Sequence, residues 1–411
     1  FMSKIAIIEN AIGLNGEKGY SRFRFLPKFL AENYGYDVEL ITSTFQHWEK
    51  KQRNVSETLK RQSIERYKTT LIPEPGYKKN VDLKRIYSHW VFADNVIKHL
   101  KKNKYDLIYC TIPDNRLTAK VAEYAHANGI KMIVDVEDLW PEAMQMAIHL
   151  PKLIDMVVYA PFRYYAKKAY TNADAFVGTS DEYRDVPLKK YKVKRSIAKT
   201  VYVGCDIDEF DNGVIENSDS IIKNDGEFWI TYSGTLGASY DISTLIKAIA
   251  IVQKEYPNIR VKILGGGPDE QKLKELSRDL RANVDFVGYM PYPRMAAYLS
   301  KSDIVINSFV RKAPQSIVNK IGDYLSAGKP MINTCSSPEL REKVKKDGTG
   351  CNVLAEDRDK LATLIKKMYK NPNKLQVMGE NARRIAEAEF DRKESYKVIE
   401  QCISALLNDV R

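Results

Sequence analysis

Short apolar runs alternating with amphipathic segments constrain this chain more than any other feature. In the first half, residues 4–9 read as a strand, 22–33 as an amphipathic helix and 37–42 as the next strand. Further on, 105–111 is a strand, 117–128 a helix ended by Gly129, 131–136 another buried strand, and 175–178 closes the series. The second half restarts the same pattern after a polar, acidic stretch at 206–224. Strands at 228–233, 260–264, 284–287, 304–308 and 330–334 alternate with helices at 243–255, 269–281, 292–300 and 320–327. Short strands separated by helices predict a parallel, doubly wound sheet, and two such series predict two α/β domains facing each other across a cleft. Ligands of such sheets bind outside the carboxyl ends of the strands. At 411 residues the chain is long enough for two cores.

Composition narrows the setting. The five cysteines are odd in number, far apart and outside any metal-ligand spacing, so a reducing compartment is expected; no required metal and no other cofactor is expected either, the metal on the reading of Asp206 to Asp208 given below. Phe1 precedes Met2, and the run from Ser3 to Ile8 has no signal-like apolar core. No apolar run reaches the roughly 18 residues needed to span a bilayer. The expectation is a cytoplasmic protein, peripheral on the inner face of the cell membrane at most. The net charge of +12 is concentrated between Phe45 and Lys104, which hold 15 Lys or Arg against 6 Asp or Glu. This basic stretch suits an anionic membrane surface, and its Trp48, Tyr67, Tyr77, Tyr87 and Trp90 suit a headgroup boundary. A solvated helical face is the plainer alternative.

Four segments after strands line the expected cleft. Gly13 to Gly19 is a glycine-rich turn before a helix N-terminus, with Gly16 and Gly19 the candidates for approach to an anion. Asp135-Val136-Glu137-Asp138-Leu139-Trp140-Pro141-Glu142 crowds acids at the end of a buried strand, making Asp138 and Glu137 catalytic candidates; a cap for the following helix is the structural alternative for Asp138. Ser233 to Asp241 is a second glycine loop, whose Gly234, Thr235, Leu236 and Gly237 could bring backbone N–H groups and a hydroxyl to phosphates. In the fourth, Gln315 to Pro330, an acid early in a helix precedes Ala-Gly-Lys-Pro and a new strand. A carboxylate at Asp323 can take both ribose hydroxyls of a nucleotide. Asp206-Ile207-Asp208 has the form of a metal-binding Asp-x-Asp but lies at the domain boundary, where it reads as hinge structure.

With these segments in place, the chain resembles the retaining GT-B glycosyltransferases of the group 1, family 4-like type. The resemblance is carried by Ser233–Gly237, Leu264-Gly265-Gly266-Gly267-Pro268, Phe286-Val287-Gly288-Tyr289, the segment from Asp323 to Pro330, and Tyr202 to Phe210 as the interdomain segment. The segment from Asp135 to Glu142 resembles a signature of transferases that build bacterial capsular and O-antigen polysaccharide, and Pro73 through Asn80, Arg85 and Trp90 resembles that subgroup's acceptor-side insertion. The resemblance implies an N-terminal acceptor-side Rossmann-like domain at 1–205 with a basic insertion at about 45–104. It further implies a C-terminal nucleotide-sugar domain at 206–385 and a helix at 386–411 crossing back to the first.

The implied reaction moves a hexosyl or N-acetylhexosaminyl group, with retention and without a metal, from a nucleotide-sugar, preferably UDP-linked. The acceptor is a saccharide or a lipid-diphosphate-linked saccharide. Asp323 matches the second of the family's two helical acids and Gln315 falls on the first. The usual basic pair after the second glycine loop is missing, so Arg311, Lys312 or Lys320 takes the diphosphate. Gly265, Gly266, Tyr289 and Met290 complete the expected donor contacts. A catalytic His has no match, and Asp138 stands in its place. A nucleotide-sugar epimerase of the same architecture and a basic nucleic-acid-binding protein are the alternatives; nucleic acid is not the expected partner.

Overall fold

The computed structural model describes residues 2–17, 22–80, 82–147, 150–313 and 316–408, with 146 and 147 described by backbone alone. It divides into two compact units, one running to Val201 and resumed from Tyr396, the other spanning Tyr202–Ser395. The division falls a few residues before the expected boundary at 205 and ten after that at 385. Backbone pairing explains the shift. Cys205 N donates to Phe390 O at 2.9 Å and Arg392 N to Cys205 O at 3.0 Å, which holds both connecting segments within the second unit.

Among the described residues, the first unit is built on seven parallel strands: β1 (Lys4–Ile8), β2 (Asp37–Ser43), β3 (Lys68–Ile72), β4 (Leu107–Ile112), β5 (Lys131–Val136), β6 (Ala175–Gly178) and β7 (Ala198–Thr200). Their order is β3-β2-β1-β4-β5-β6-β7. Ile5 pairs with Val38 on one side and Leu107 on the other. The central strands are buried on both faces, which is why they read as continuous apolar runs. Ala6, Ile8, Ile108 and Cys110 pack against Phe92, Val96, Ala119 and Ala166 of the helices Leu83–Leu100, Asn115–Ala127 and Ala160–Asn172. On the opposite face Ile5, Ile7 and Tyr109 meet Phe23 and Leu26 of the helix Arg22–Tyr34, together with Ile399 and Ile403 of the helix Lys397–Asn408.

The basic stretch corrects one expectation. It supplies edge strand β3 and the helix Leu83–Leu100, so it is part of the sheet architecture. Tyr67 and Tyr77 are buried, and only Trp48, Tyr87 and Trp90 of the five aromatics face solvent. Arg53, also buried, pairs with Glu17 at 2.8 Å and donates to the carbonyls of Ile12, Ser43 and Phe45.

The second unit repeats the topology with β8 (Phe228–Ser233), β9 (Ile259–Leu264), β10 (Val284–Gly288), β11 (Ile304–Asn307), β12 (Met331–Asn333) and β13 (Gly350–Asn352). Their order is β10-β9-β8-β11-β12-β13. In both units the strand order reverses beside the first strand, between β1 and β4 and between β8 and β11. The crevice of a doubly wound sheet opens at the carboxyl ends of these pairs.

Candidate functional site

In the second unit three glycine loops interlock at the carboxyl ends of β8, β9 and β10. Gly234 N donates to Leu264 O at 2.9 Å, Leu236 N to Gly266 O at 3.0 Å, and Gly265 N to Gly288 O at 2.8 Å. Side chains would block this approach: a Cβ on Gly265, whose φ is +125°, would lie 2.1 Å from Gly234 O. Thr235 faces solvent and Gly237 is half-buried, as is Gly266, whose Cβ would meet only the Glu270 carboxylate. Leu236 is scaffold: its side chain is in the core, and its carbonyl accepts from Asp269 N at 3.1 Å.

The helix Lys320–Ser326 follows β11 and brings two charged side chains to these loops. Lys320 Nζ lies 4.3 Å from the ring centroids of both Tyr232 and Tyr240 and 3.3 Å from the Tyr232 hydroxyl. A Cβ on Gly234 would sit 2.6 Å from this nitrogen, so the glycine leaves the room the ammonium occupies. No carboxylate pairs with Lys320 among the described residues, and burial pulls its amine down to about 7. One turn on, Asp323 accepts a 2.8 Å hydrogen bond from the Tyr292 hydroxyl. Burial pushes its carboxyl up to about 6, against the pull of that hydrogen bond and of Arg392.

The other expected donor residues divide. Tyr289 is exposed and Met290 half-buried just beyond Gly288, whose φ of +85° turns the chain. Arg311 and Lys312 lie exposed on the loop after β11, with Arg311 donating to Ala355 O at 3.2 Å. Of the three basic candidates, Lys320 is the one that packs on the glycine loop. Gln315 and Gly19 fall outside the described residues. Gly16, at φ +80°, belongs to the first unit, 3.8 Å from the Arg61 side chain by an added Cβ. Asp206 caps the helix Ile207–Asn217 by accepting from Glu209 N, and Asp208 pairs with Lys393, in keeping with hinge structure.

In the first unit the strand ends gather a buried charge cluster. Arg22 binds Asp135 at 2.7 Å and Glu137 at 3.2 Å, and Tyr109 donates to Asp135 at 2.6 Å. Glu9, at the end of β1, accepts from the Thr111 hydroxyl and from Ala11 N. Burial pushes Glu9 up to about 7 and Glu137 well above the usual carboxylate range, with the Asp135 charge adding to both. Glu137 Oε1 faces Arg22 Nε across this cluster. Asp138 stands apart: it accepts at 2.8 Å from Leu139 N, and burial raises its carboxyl. The following helix begins only at Glu142, so Asp138 does not cap it. Glu9 and Arg22 escaped sequence reasoning, although a charged residue directly after four apolar strand positions, and another opening the next helix, is the signal that marks them.

Comparison with known proteins bears on family and fold. Residues 214–385 match the model of the glycosyl transferases group 1 family. An uncharacterised glycosyltransferase of Methanocaldococcus jannaschii is 23% identical over 245 residues, covering 59% of this chain and 61% of that protein. A GDP-mannose-dependent monoacylated α-(1-6)-phosphatidylinositol monomannoside mannosyltransferase of Corynebacterium glutamicum is 31% identical over 153 residues, covering 36% and 39%. The chain therefore spans less than two thirds of the length of either curated relative. Among solved structures, Anabaena HepE in complex with UDP aligns over 98% of this chain and 99% of its own, with a TM-score of 0.70 at 15% identity. The matched residues lie within the second unit, and the two parallel-sheet units have the GT-B fold.

Proposed function

We propose that this chain transfers a hexosyl or N-acetylhexosaminyl group from a nucleotide-diphosphate sugar to a saccharide or lipid-linked saccharide, in the synthesis of bacterial surface polysaccharide. The observation that carries the reading is the pair Lys320 and Asp323, one helical turn apart beside three interlocked glycine loops. In this reading the Asp323 carboxylate accepts from the ribose hydroxyls. The Lys320 ammonium and the loop N–H groups take the diphosphate, whose charge grows as the anomeric C–O bond breaks. The bond to the acceptor oxygen forms as the acceptor hydroxyl loses its proton, and Asp138 orients that hydroxyl or the sugar. Retention follows from the family resemblance. Independence from metal is supported by the commitment of Asp206 and Asp208 to a cap and an ion pair.

UDP is the preferred donor nucleotide: HepE was solved with UDP, while the Corynebacterium relative is GDP-mannose-dependent. Among the described residues no helix is long and apolar enough to cross a membrane. A cytoplasmic, peripheral placement at the membrane is part of the proposal, supported by the exposed basic and aromatic positions near Trp48 and Trp90. A thermal-shift panel of UDP-, GDP- and ADP-sugars tests the donor, because the bound one raises the melting temperature by mass action. Asp323→Ala should weaken that binding by about 1.5–3 kcal/mol, the range for a charged hydrogen-bond acceptor. Unchanged nucleotide affinity by calorimetry would remove Asp323 from the donor site.

A further inference from the structure

The first unit contains a cavity of about 860 Å³ that the donor chemistry leaves unused. Its size lies within the range of ligand pockets, roughly 300–1,000 Å³. The walls are formed chiefly by Leu83, Ile86, Trp140, Val158, Phe162 and Tyr165. Arg85, His89, Asp114 and Arg116 also line the cavity, and a saccharide filling the apolar remainder would strand hydroxyls at about 1–3 kcal/mol each.

Charge is gathered on one flank of Trp140. The Arg85 guanidinium lies 5.0 Å from the Trp140 ring and 5.4 Å from that of Tyr77, and His89 stacks parallel to Trp140 at 6.2 Å. His89 is occupied by Asp114 at 3.5 Å. Arg85 donates through Nη1 to Asn80 O, while its buried Nε has no hydrogen-bond partner and the guanidinium no ion pair among the described residues. Lys50 lies over the other occupied ring, 4.9 Å from Tyr77, and burial together with the Arg85 charge pulls its amine down to about 8. No carboxylate of the described residues lies within ion-pair distance of the Arg85 guanidinium. The Arg85 charge also reaches the Asp138 carboxyl, so the cationic flank adjoins the strand-end acids.

The rim extends the apolar surface outward. Val158 ends the helix Lys152–Val158, none of whose side chains is buried; Leu153 is 75% exposed, Ile154 51%, Met156 59% and Val157 70%. Leu83 at the rim is 82% exposed. An apolar helix in water next to an apolar cavity suits an occupant drawn from a bilayer, with the helix lying in the interface.

We propose that this cavity binds the apolar chain of a lipid phosphate, with Arg85 as the partner of the phosphate. The proposal rests on the glycosyltransferase reading and deepens it: the acceptor is a saccharide carried on a lipid phosphate, and Asp138 lies beside the phosphate end.

Binding to the chain tests this, read by calorimetry and by quenching of tryptophan fluorescence, with three probes: geranylgeranyl diphosphate, inorganic pyrophosphate, and the neutral detergent octyl glucoside. The prenyl diphosphate should bind at least tenfold more tightly than either of the others. Arg85→Gln should weaken it at least fivefold. Ala143→Trp, which fills the cavity from its wall, should weaken it at least tenfold with circular dichroism unchanged. If Ala143→Trp does not fold, Leu83→Asp at the exposed rim carries the same expectation. Equal affinity for pyrophosphate overturns the chain pocket, equal affinity for octyl glucoside overturns the phosphate partner, and wild-type binding by the filled or rim variant overturns the location. UDP-sugar affinity, measured in parallel, separates the two proposals: its absence in the wild type sinks the transfer reaction, whereas prenyl diphosphate binding is read on its own.

Discussion

Replacing Lys320 with Met should strengthen the fold and weaken the donor site together. Among the described residues the ammonium is enclosed by Tyr232, Tyr240 and Phe309 with no carboxylate paired to it, and burial moves its titration from 10.5 to about 7. At about 1.36 kcal/mol per unit, that displacement disfavours the charged amine by roughly 5 kcal/mol. Exchanging a buried charge for an apolar group of similar volume is often stabilising by about 1–4 kcal/mol, which is the expected gain at pH 6. For a unit of this size each kcal/mol raises Tm by about 2–4 °C. The sign with pH is fixed. Between pH 7 and 10.5 the unfolded chain keeps a proton on Lys320 that the folded chain has lost, so wild-type stability rises across that window. The gain from Lys320→Met is therefore largest at pH 6 and fades toward pH 10. Scanning fluorimetry from pH 6 to 10 reads the first effect. Calorimetry with UDP at pH 6.5 reads the second, where affinity should fall at least tenfold. A variant that melts lower than wild type at pH 6, or binds UDP as before, would refute the reasoning.

Three further outcomes follow from particular contacts. Asp138→Ala should lower turnover at least tenfold with the donor dissociation constant little changed, measured by steady-state kinetics beside calorimetry; near-normal turnover excludes Asp138 from the reaction. Gly265→Ala should destabilise the second unit by about 1–3 kcal/mol or more, since its φ of +125° and the 2.1 Å approach to Gly234 O leave no room for a methyl group; denaturant titration measures it, and an unchanged midpoint would contradict the interlocked loops. Glu9, held near 7 in the fold, releases its proton on unfolding between about pH 4.5 and 7, so the first unit loses stability as pH rises through that window. Glu9→Gln should flatten this dependence, and an unaltered slope would show that another group carries it.

The central strands were legible because burial on both faces writes them as unbroken apolar runs, as in Leu107 to Ile112 and Phe228 to Ser233. Three of the four edge strands were not, β10 being the exception. β3, Lys-Thr-Thr-Leu-Ile, is half-exposed and sits in a stretch dominated by charge, and β13 is three residues long. The same distinction runs through the site. The placement of Asp323 and the glycines could be read because helix position and backbone approach demand those residue types. Which of Arg311, Lys312 and Lys320 packs on the glycine loop could not, because that depends on which side chain meets Tyr232 and Tyr240 in space. The pocket around Trp140 was hidden for a similar reason: its walls come from segments as far apart as Leu83 and Tyr165, each apolar for reasons that look local.

The return of the chain at Tyr396 also sets an order of assembly. Tyr396, Ile399, Cys402, Ile403 and Leu406 belong to the core that covers one face of β1 and β4, with Tyr396 edge-on to Phe25 at 5.6 Å. These residues leave the ribosome after the whole of the second unit, whose span ends at Ser395. The first unit to be synthesised is therefore the second to be completed, and until then its Phe23, Leu26 and Ile7 face lacks part of its cover. Nascent chains halted before Tyr396 would carry a finished second unit and a first unit with this apolar face still partly exposed.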